Sequence, residues 1–259
     1  MLTARAEIRT DVRDVQDYRR SLERCTASQS RADRPSRVRL GGQEWSVFDG
    51  VFSPADSPSS AIGLAFLGLG AMPDAPAGAA SEPSGAVAGK PPTSSFLEVG
   101  SGTGVIAVRA ALAGCTVTAV DINPEAVRNT AANAALHHRS HQVRALHSDL
   151  FSALGAGERF DTVFWSSNYV LAPDGFRYRS ISERAYVDPG YAAHRRYLAE
   201  APDRVRPGGR ALLHFSSRGN LAELCRIAEE CGRSLTIRRF HPVREGADLV
   251  DHMLLEITR

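Results

Sequence analysis

Phe96-Leu-Glu-Val-Gly-Ser-Gly-Thr-Gly104, followed by Val117-Thr-Ala-Val-Asp121, is the stretch whose reading decides the fold. An apolar run enters a loop with glycine at every second position, and a second apolar run ends on a carboxylate. Glycine lets backbone pass close beneath a ligand, and a carboxylate closing the next strand suits a diol. The pair describes a nucleotide-like site at the strand ends of an α/β sheet.

Two ligands compete for such a loop, a dinucleotide and S-adenosylmethionine. The dinucleotide fingerprint reads G-x-G-x-x-G, its last glycine letting the helix pack while the helix N-terminus faces a pyrophosphate. Here Gly100, Gly102 and Gly104 give G-x-G-x-G. Glu98 at the strand end repels a pyrophosphate but attracts a ligand bearing an ammonium and a sulfonium. S-adenosylmethionine is therefore favoured over a dinucleotide, and both over a plain glycine turn. With Asp121 seventeen residues after Gly104, the segment resembles motif I and the following acidic motif of class I S-adenosylmethionine-dependent methyltransferases.

Outward from this stretch the apolar pattern alternates. Strands are expected at 95–100, 116–122, 142–148 and 160–166, with helices at 104–113 and 124–137, an order that implies a doubly wound, largely parallel sheet. A helix from Gly190 to about Glu200, broken near Pro202, precedes a strand at Ala211 to Phe215. The helix Asn220 to Cys231 then leads into strands at 234–240 and 249–257, whose short connection implies an antiparallel hairpin. The fold class is α/β: a Rossmann-like, mostly parallel sheet of class I methyltransferase type with a C-terminal antiparallel hairpin and an N-terminal helical extension. Upstream, Ile8, Val12, Val15, Tyr18 and Leu22 fall at helical spacing within 4–24. Short strands at 37–40 and 44–48 and a helix at 59–69 follow. Residues 70–95, almost all Ala, Gly, Pro and Ser, cannot bury a core face and read as a disordered insertion. Residues 1–50 form an extension, and 51–259 a catalytic domain carrying that insertion.

At 259 residues and 43% hydrophobic composition the chain can bury one large core. Its net charge is only +2, although residues 1–40 hold ten arginines against six acids. An arginine-rich solvated helix face accounts for that local excess, and no nucleic acid is indicated. Lys90 is the sole lysine against thirty arginines, a bias that reflects genome composition more than ligand binding. Cys25, Cys115, Cys225 and Cys231 show no C-x-x-C spacing and read as reduced, buried thiols. No stretch approaches the roughly 20 apolar residues that span a bilayer, and the charged start is not a secretory signal. A soluble, cytoplasmic protein without membrane contact is expected. His137, His138 and His141 cluster at a helix end without the cysteines or carboxylates that would complete a ligand set, so no metal is expected. His214, inside a strand, reads as a satisfied half-buried residue.

The resemblance implies roles for single residues. Gly100, Ser101 and Gly102 would pass under the adenosine and methionine portions of S-adenosylmethionine, with Gly104 closing the motif, and Asp121 and Ile122 would meet the ribose. For Asp121 the alternative is a cap on the helix opened by Asn123-Pro124. In Ser148-Asp149-Leu150-Phe151, Asp149 would accept from the adenine amino group with the Leu150 amide nearby. Amide- and amino-directed relatives carry Asn-Pro-Pro-Tyr after the fourth strand, where this chain has Ser166-Ser167-Asn168-Tyr169. Both prolines and the first asparagine are missing, so glutamine or base-amine methylation does not carry over. Asn168 and Tyr169 still offer an amide carbonyl and a phenol oxygen to an amine, while plain packing serves Tyr169 equally well. Gly50 to Ser60 is similar to the loop before motif I in ribosomal-protein and release-factor methyltransferases. Asp188-Pro-Gly-Tyr191 and Phe215-Ser-Ser217 are similar to that group too, which adds Tyr191 and Ser216 to the candidate catalytic set of Ser166, Asn168 and Tyr169. The resemblance covers roughly residues 48–258 and is strongest from 96 to 168.

The expected activity is methyl transfer from S-adenosylmethionine to a small molecule, amino acid or peptide in specialised metabolism. The alternative is cyclisation of S-adenosylmethionine itself to azetidine-2-carboxylate and methylthioadenosine. A third class is a cofactor-binding protein without turnover.

Overall fold

The computed structural model describes residues 17–73 and 94–259. Its first half comprises α1 (Tyr18–Ser30), β1 (Arg37–Leu40), β2 (Gln43–Ser46), α2 (Ser59–Phe66), β3 (Ser95–Val99), α3 (Val105–Leu112), β4 (Thr116–Asp121), α4 (Pro124–Leu136) and β5 (Val143–His147). The second half comprises β6 (Phe160–Ser166), β7 (Leu171–Ala172), β8 (Asp188–Pro189), α5 (Ala192–Glu200), β9 (Val205–Ser216), α6 (Leu221–Glu230), β10 (Ser234–Glu245) and β11 (Asp248–Thr258).

Seven of these strands form one sheet in the order β10-β11-β9-β6-β3-β4-β5. β3 pairs in parallel with both β4 and β6, and β6 with β9, whereas β11 runs antiparallel to both β9 and β10. One strand is thus reversed, and the C-terminal hairpin expected from sequence is present. The chain leaves β3 to one side for β4 and β5 and returns to the other for β6, which opens a crevice at the carboxyl ends of β3 and β6.

Strand side chains alternate between two cores, as period-two geometry requires. Phe96, Phe164, Leu212 and Leu254 face α2 and α3, whereas Leu97, Trp165, Leu213 and Leu255 face α5 and α6. Both faces are covered, so the central strands read as near-continuous apolar runs. Asn123 caps α4, its side chain accepting from Glu125 N–H at 3.0 Å, with Pro124 in the first turn. The alternative reading of Asp121 as that cap is therefore corrected. Asn220 caps α6 in the same way, accepting from Glu223 N–H at 3.0 Å.

The structure departs from the sequence expectations at several points. β9 begins at Val205, six residues before the expected strand, because its glycine-rich first half is largely solvent-facing and carries no apolar alternation. α2 ends at Phe66, where Gly68 takes a left-handed φ of +71°. The short parallel pair β7 and β8 was not foreseen. Ile8, Val12 and Val15 and most of the 70–95 insertion lie outside the described residues. Of the four free cysteines only Cys25 is buried. Among the described residues no helix is long and apolar enough to cross a membrane.

Candidate active site

The loop after β3 owes its shape to its glycines. Gly100 and Gly104 take φ of +65° and +77°, and each also lacks room for a side chain. A Cβ on Gly100 would lie 3.0 Å from Trp165 Nε1, and one on Gly104 would lie 2.8 Å from the Thr130 backbone on α4. Gly104 thus permits α4 to close on the loop. The loop is tied down by Ser101 N–H donating to Val120 O at 3.1 Å and by the Ser101–Thr130 hydroxyl pair at 3.0 Å.

A cavity of about 1000 Å³ opens at this crevice. Its wall includes Glu98, Gly100, Ser101, Gly102, Asp121, Ile122, Asp149, Leu150, Ser166, Asn168 and Tyr169, which brings together most of the residues singled out from sequence. Gly104, Tyr191 and Ser216 are not on that wall. Tyr191 is fully buried, and its hydroxyl donates to Tyr169 O and accepts from Asn220 N–H at 2.8 Å. Ser216, also fully buried, accepts from Arg218 N–H at 3.3 Å. Both act as struts behind the loop and not as groups facing the cavity.

The floor is acidic. Glu98 accepts from Ala107 N–H at 2.8 Å in the first turn of α3, and burial, reinforced by nearby Asp121, pushes its carboxyl well above the ordinary range. Asp121 accepts from Gly102 N–H and Asn123 N–H, each at 2.8 Å; burial raises it too, with those backbone bonds opposing. Among the described residues neither acid has an ion-pair partner. Two buried, uncompensated carboxyls are costly unless a cation meets them. S-adenosylmethionine carries an ammonium and a sulfonium, so the donor set fits that cofactor. Asp149 is more exposed and pairs with Arg196 at 2.8 Å.

The same lining also holds arginines, beside Asp56 and Glu245. Arg24, Arg184 and Arg244 line the cavity, and among the described residues none has a carboxylate within ion-pair distance. Sequence reading passed over them because thirty arginines hide three. α1 supplies Ser21, Arg24 and Ser28 to this wall, docking Leu22 and Cys25 against Val170, Ala172, Tyr186 and Val187. Ser21 Oγ donates to Tyr186 O at 3.0 Å. The loop before α2 is held from two sides, Asn123 Nδ2 and Ser182 Oγ both donating to Gly50 O at 2.9 and 3.0 Å.

Past β6 the chain makes a tight turn in which Val170 N–H donates to Asn168 O and Tyr169 adopts φ of +22°. Asn168 Nδ2 donates to Arg184 O at 2.9 Å and Val187 O at 2.8 Å, while its Oδ1 is buried without a donor. Burial pushes the Tyr169 phenol up, so it stays protonated. His214 is fully buried, not half-buried, with Nδ1 3.1 Å from Ser166 Oγ.

Comparison with known proteins places this geometry. Residues 96–185 match the family model of a methyltransferase domain. The chain is 36% identical over 87 residues to the tRNA1(Val) (adenine(37)-N6)-methyltransferase of Flavobacteriaceae bacterium (strain 3519-10), covering 33% of this chain and 37% of that protein. It is 34% identical over 122 residues to the release factor glutamine methyltransferase of Bordetella pertussis, covering 44% of each. The chain thus spans less than half the length of these curated relatives. A solved protein of Pyrococcus horikoshii shares the fold, with a TM-score of 0.50 and 12% identity over 85% of this chain and 70% of that one. By their names, the two curated relatives act on a tRNA and on a release factor. This overturns the expectation of a small-molecule or peptide acceptor with nucleic acid excluded. Its glycine loop, its sheet order and the matched segment agree: residues 96–185 carry a methyltransferase domain, similar in sequence to the release factor and tRNA enzymes over part of their length.

Proposed function

We propose that this protein transfers the methyl group of S-adenosylmethionine to a nitrogen of an anionic macromolecular acceptor, with RNA as the acceptor class. One observation carries the nitrogen: the Asn168 amide is pinned through its NH2, which leaves Oδ1 as a buried acceptor with no donor. A buried acceptor left unmatched costs about 1–3 kcal/mol, and an acceptor nitrogen brings the missing N–H. Arg24, Arg184 and Arg244 support the polyanion, and a tRNA enzyme among the relatives points the same way. The reading goes with a cytoplasmic protein.

When bound, S-adenosylmethionine supplies a methyl carbon activated by a positive sulfur. The chain's own work is then to bind and to orient. Glu98 and Asp121 answer the positive charge, Gly100 to Gly102 let backbone approach, and Asn168 with Ser166 turns the nitrogen toward the reacting carbon. α1 and Tyr169 keep water out.

A second reading is favoured by the roof that α1 forms with the 181–186 segment. A roofed cavity suits attack by the cofactor's own α-amine on its γ-carbon, as in natural-product pathways. An intramolecular attack gains an effective molarity on the order of 10⁵ M or more. One assay separates the two readings. The protein is incubated with S-adenosylmethionine alone, with bulk tRNA, and with a release factor. S-adenosylhomocysteine formed only with tRNA supports the first reading; methylthioadenosine formed without any acceptor replaces it with the second.

A further inference from the structure

A hydrogen-bonded chain runs from the cavity wall into the interior behind β6, β9 and β11. Ser166 Oγ lies 3.1 Å from His214 Nδ1, and His214 Nε2 lies 2.9 Å from His252 Nδ1. His252 Nε2 lies 2.9 Å from Glu245 Oε1, and the other carboxylate oxygen accepts from Arg218 Nε at 2.8 Å. The sheet builds this alignment. Ser166 is the register partner of His214, while His214 and His252 lie diagonally across the β9–β11 pair, two residues out of direct register. Both imidazoles are fully buried.

The far end fixes the direction of the first bond, and a neutral His252 carries that order along the chain. Burial works to raise the Glu245 carboxyl, but the His252 hydrogen bond and Arg218 outweigh it and hold the group below the ordinary range. An ionised carboxylate only accepts, so His252 carries its hydrogen on Nε2. Where His252 is neutral its Nδ1 is bare and accepts, which places the His214 hydrogen on Nε2 as well. His214 Nδ1 is bare in turn, and Ser166 must donate to it. Burial, then the neighbouring His252, keeps His214 well below the ordinary histidine value, so the imidazole stays neutral and the order holds.

We propose that the buried Glu245–His252–His214 chain locks Ser166 Oγ as a hydrogen-bond acceptor toward the cavity, making Ser166 a specificity-determining residue that selects N–H donors at the transfer point. Resting on the nitrogen reading above, this narrows the acceptor to an amino group carrying hydrogen. A serine normally serves as donor or acceptor as its rotor suits, but here its single hydrogen is committed inward. Beside Asn168, the wall then offers the Ser166 oxygen as an acceptor and no competing hydroxyl donor from it. His214, His252 and Glu245 act through Ser166 and are positioning residues.

The test needs no turnover. Sinefungin, an analogue with an amine where S-adenosylmethionine holds its methyl-bearing sulfonium, and S-adenosylhomocysteine, which lacks that group, are titrated calorimetrically into the full chain. Preference for sinefungin over S-adenosylhomocysteine should fall about tenfold in Ser166→Ala and in Glu245→Gln, with S-adenosylhomocysteine affinity held within about twofold, since one charge-assisted hydrogen bond is at stake. An unchanged preference overturns the proposal. Long-range proton–nitrogen spectra of the histidine-labelled wild type form the second measurement and do not depend on variants folding. Nε2–H tautomers at both His214 and His252 support the lock, and an Nδ1–H tautomer at His214 overturns it. Absence of methyl transfer to any acceptor would remove the functional reading alone, because neither measurement requires turnover.

Discussion

A methyl group at position 104 would sit 2.8 Å from the Thr130 backbone on a residue already at φ of +77°. Gly104→Ala should therefore lower stability by about 1–3 kcal/mol, read from the midpoint of a urea melt, because backbone cannot yield as a flexible side chain does. Asp121 makes a different kind of contribution. Replacing it with alanine should weaken S-adenosylmethionine binding roughly 10- to 100-fold by calorimetry, with the far-ultraviolet spectrum unchanged, since a charged hydrogen-bond partner is worth about 1.5–3 kcal/mol. Glu98 gives this binding a pH dependence. Burial holds its carboxyl protonated above the ordinary range, and a bound cation favours the charged form, so binding should release a proton and tighten as pH rises through that raised range. Glu98→Gln should bind with no such slope; a slope that survives the substitution would assign the proton elsewhere.

At the scale of elements, α1 is held by a small cluster in which Leu22 and Cys25 meet Val170, Tyr186 and Val187. Leu22→Asp places a charge in that cluster and should detach the helix while leaving the sheet intact. Hydrogen exchange should show α1 losing protection and β3 to β6 keeping theirs, and S-adenosylhomocysteine should still bind at the strand ends. Elements of this fold were legible wherever one chemistry dominated a run. β6 is Phe160–Ser166 in both readings, since its apolar alternation is framed by loops. The glycine loop, Asp121 and Asp149 were legible because they lie at strand ends in the order that the motif requires. Ser216 was misplaced relative to the cavity because distance along a strand fixes depth and not the face presented to the wall, and Tyr191 because its left-handed turn before α5 carries no sequence signal of which way its ring points. His252 could not be read as a partner of His214, since thirty-eight positions separate them in sequence and only the reversed strand brings them together.

For the molecule as a whole, His214 ties stability to pH. Its folded value lies below that of the unfolded chain, so the unfolded state binds more protons at acid pH. The stability it contributes is complete above the ordinary histidine value and is lost as pH falls through it, at up to about 1.4 kcal/mol per pH unit. His214→Phe should flatten the acid limb of a melting-temperature profile, and an unaltered limb would assign the loss to other groups. The sheet also has a temporal side. β11 lies between β9 and β10, one place in from the sheet edge, yet it follows the other six strands of that sheet in sequence. During vectorial synthesis the cofactor-facing strands β3, β4 and β6 emerge first, while the place beside β9 waits for a strand that follows all of them. His252 arrives with that strand, so in the order of synthesis Ser166 is made long before the residue that would give it a direction.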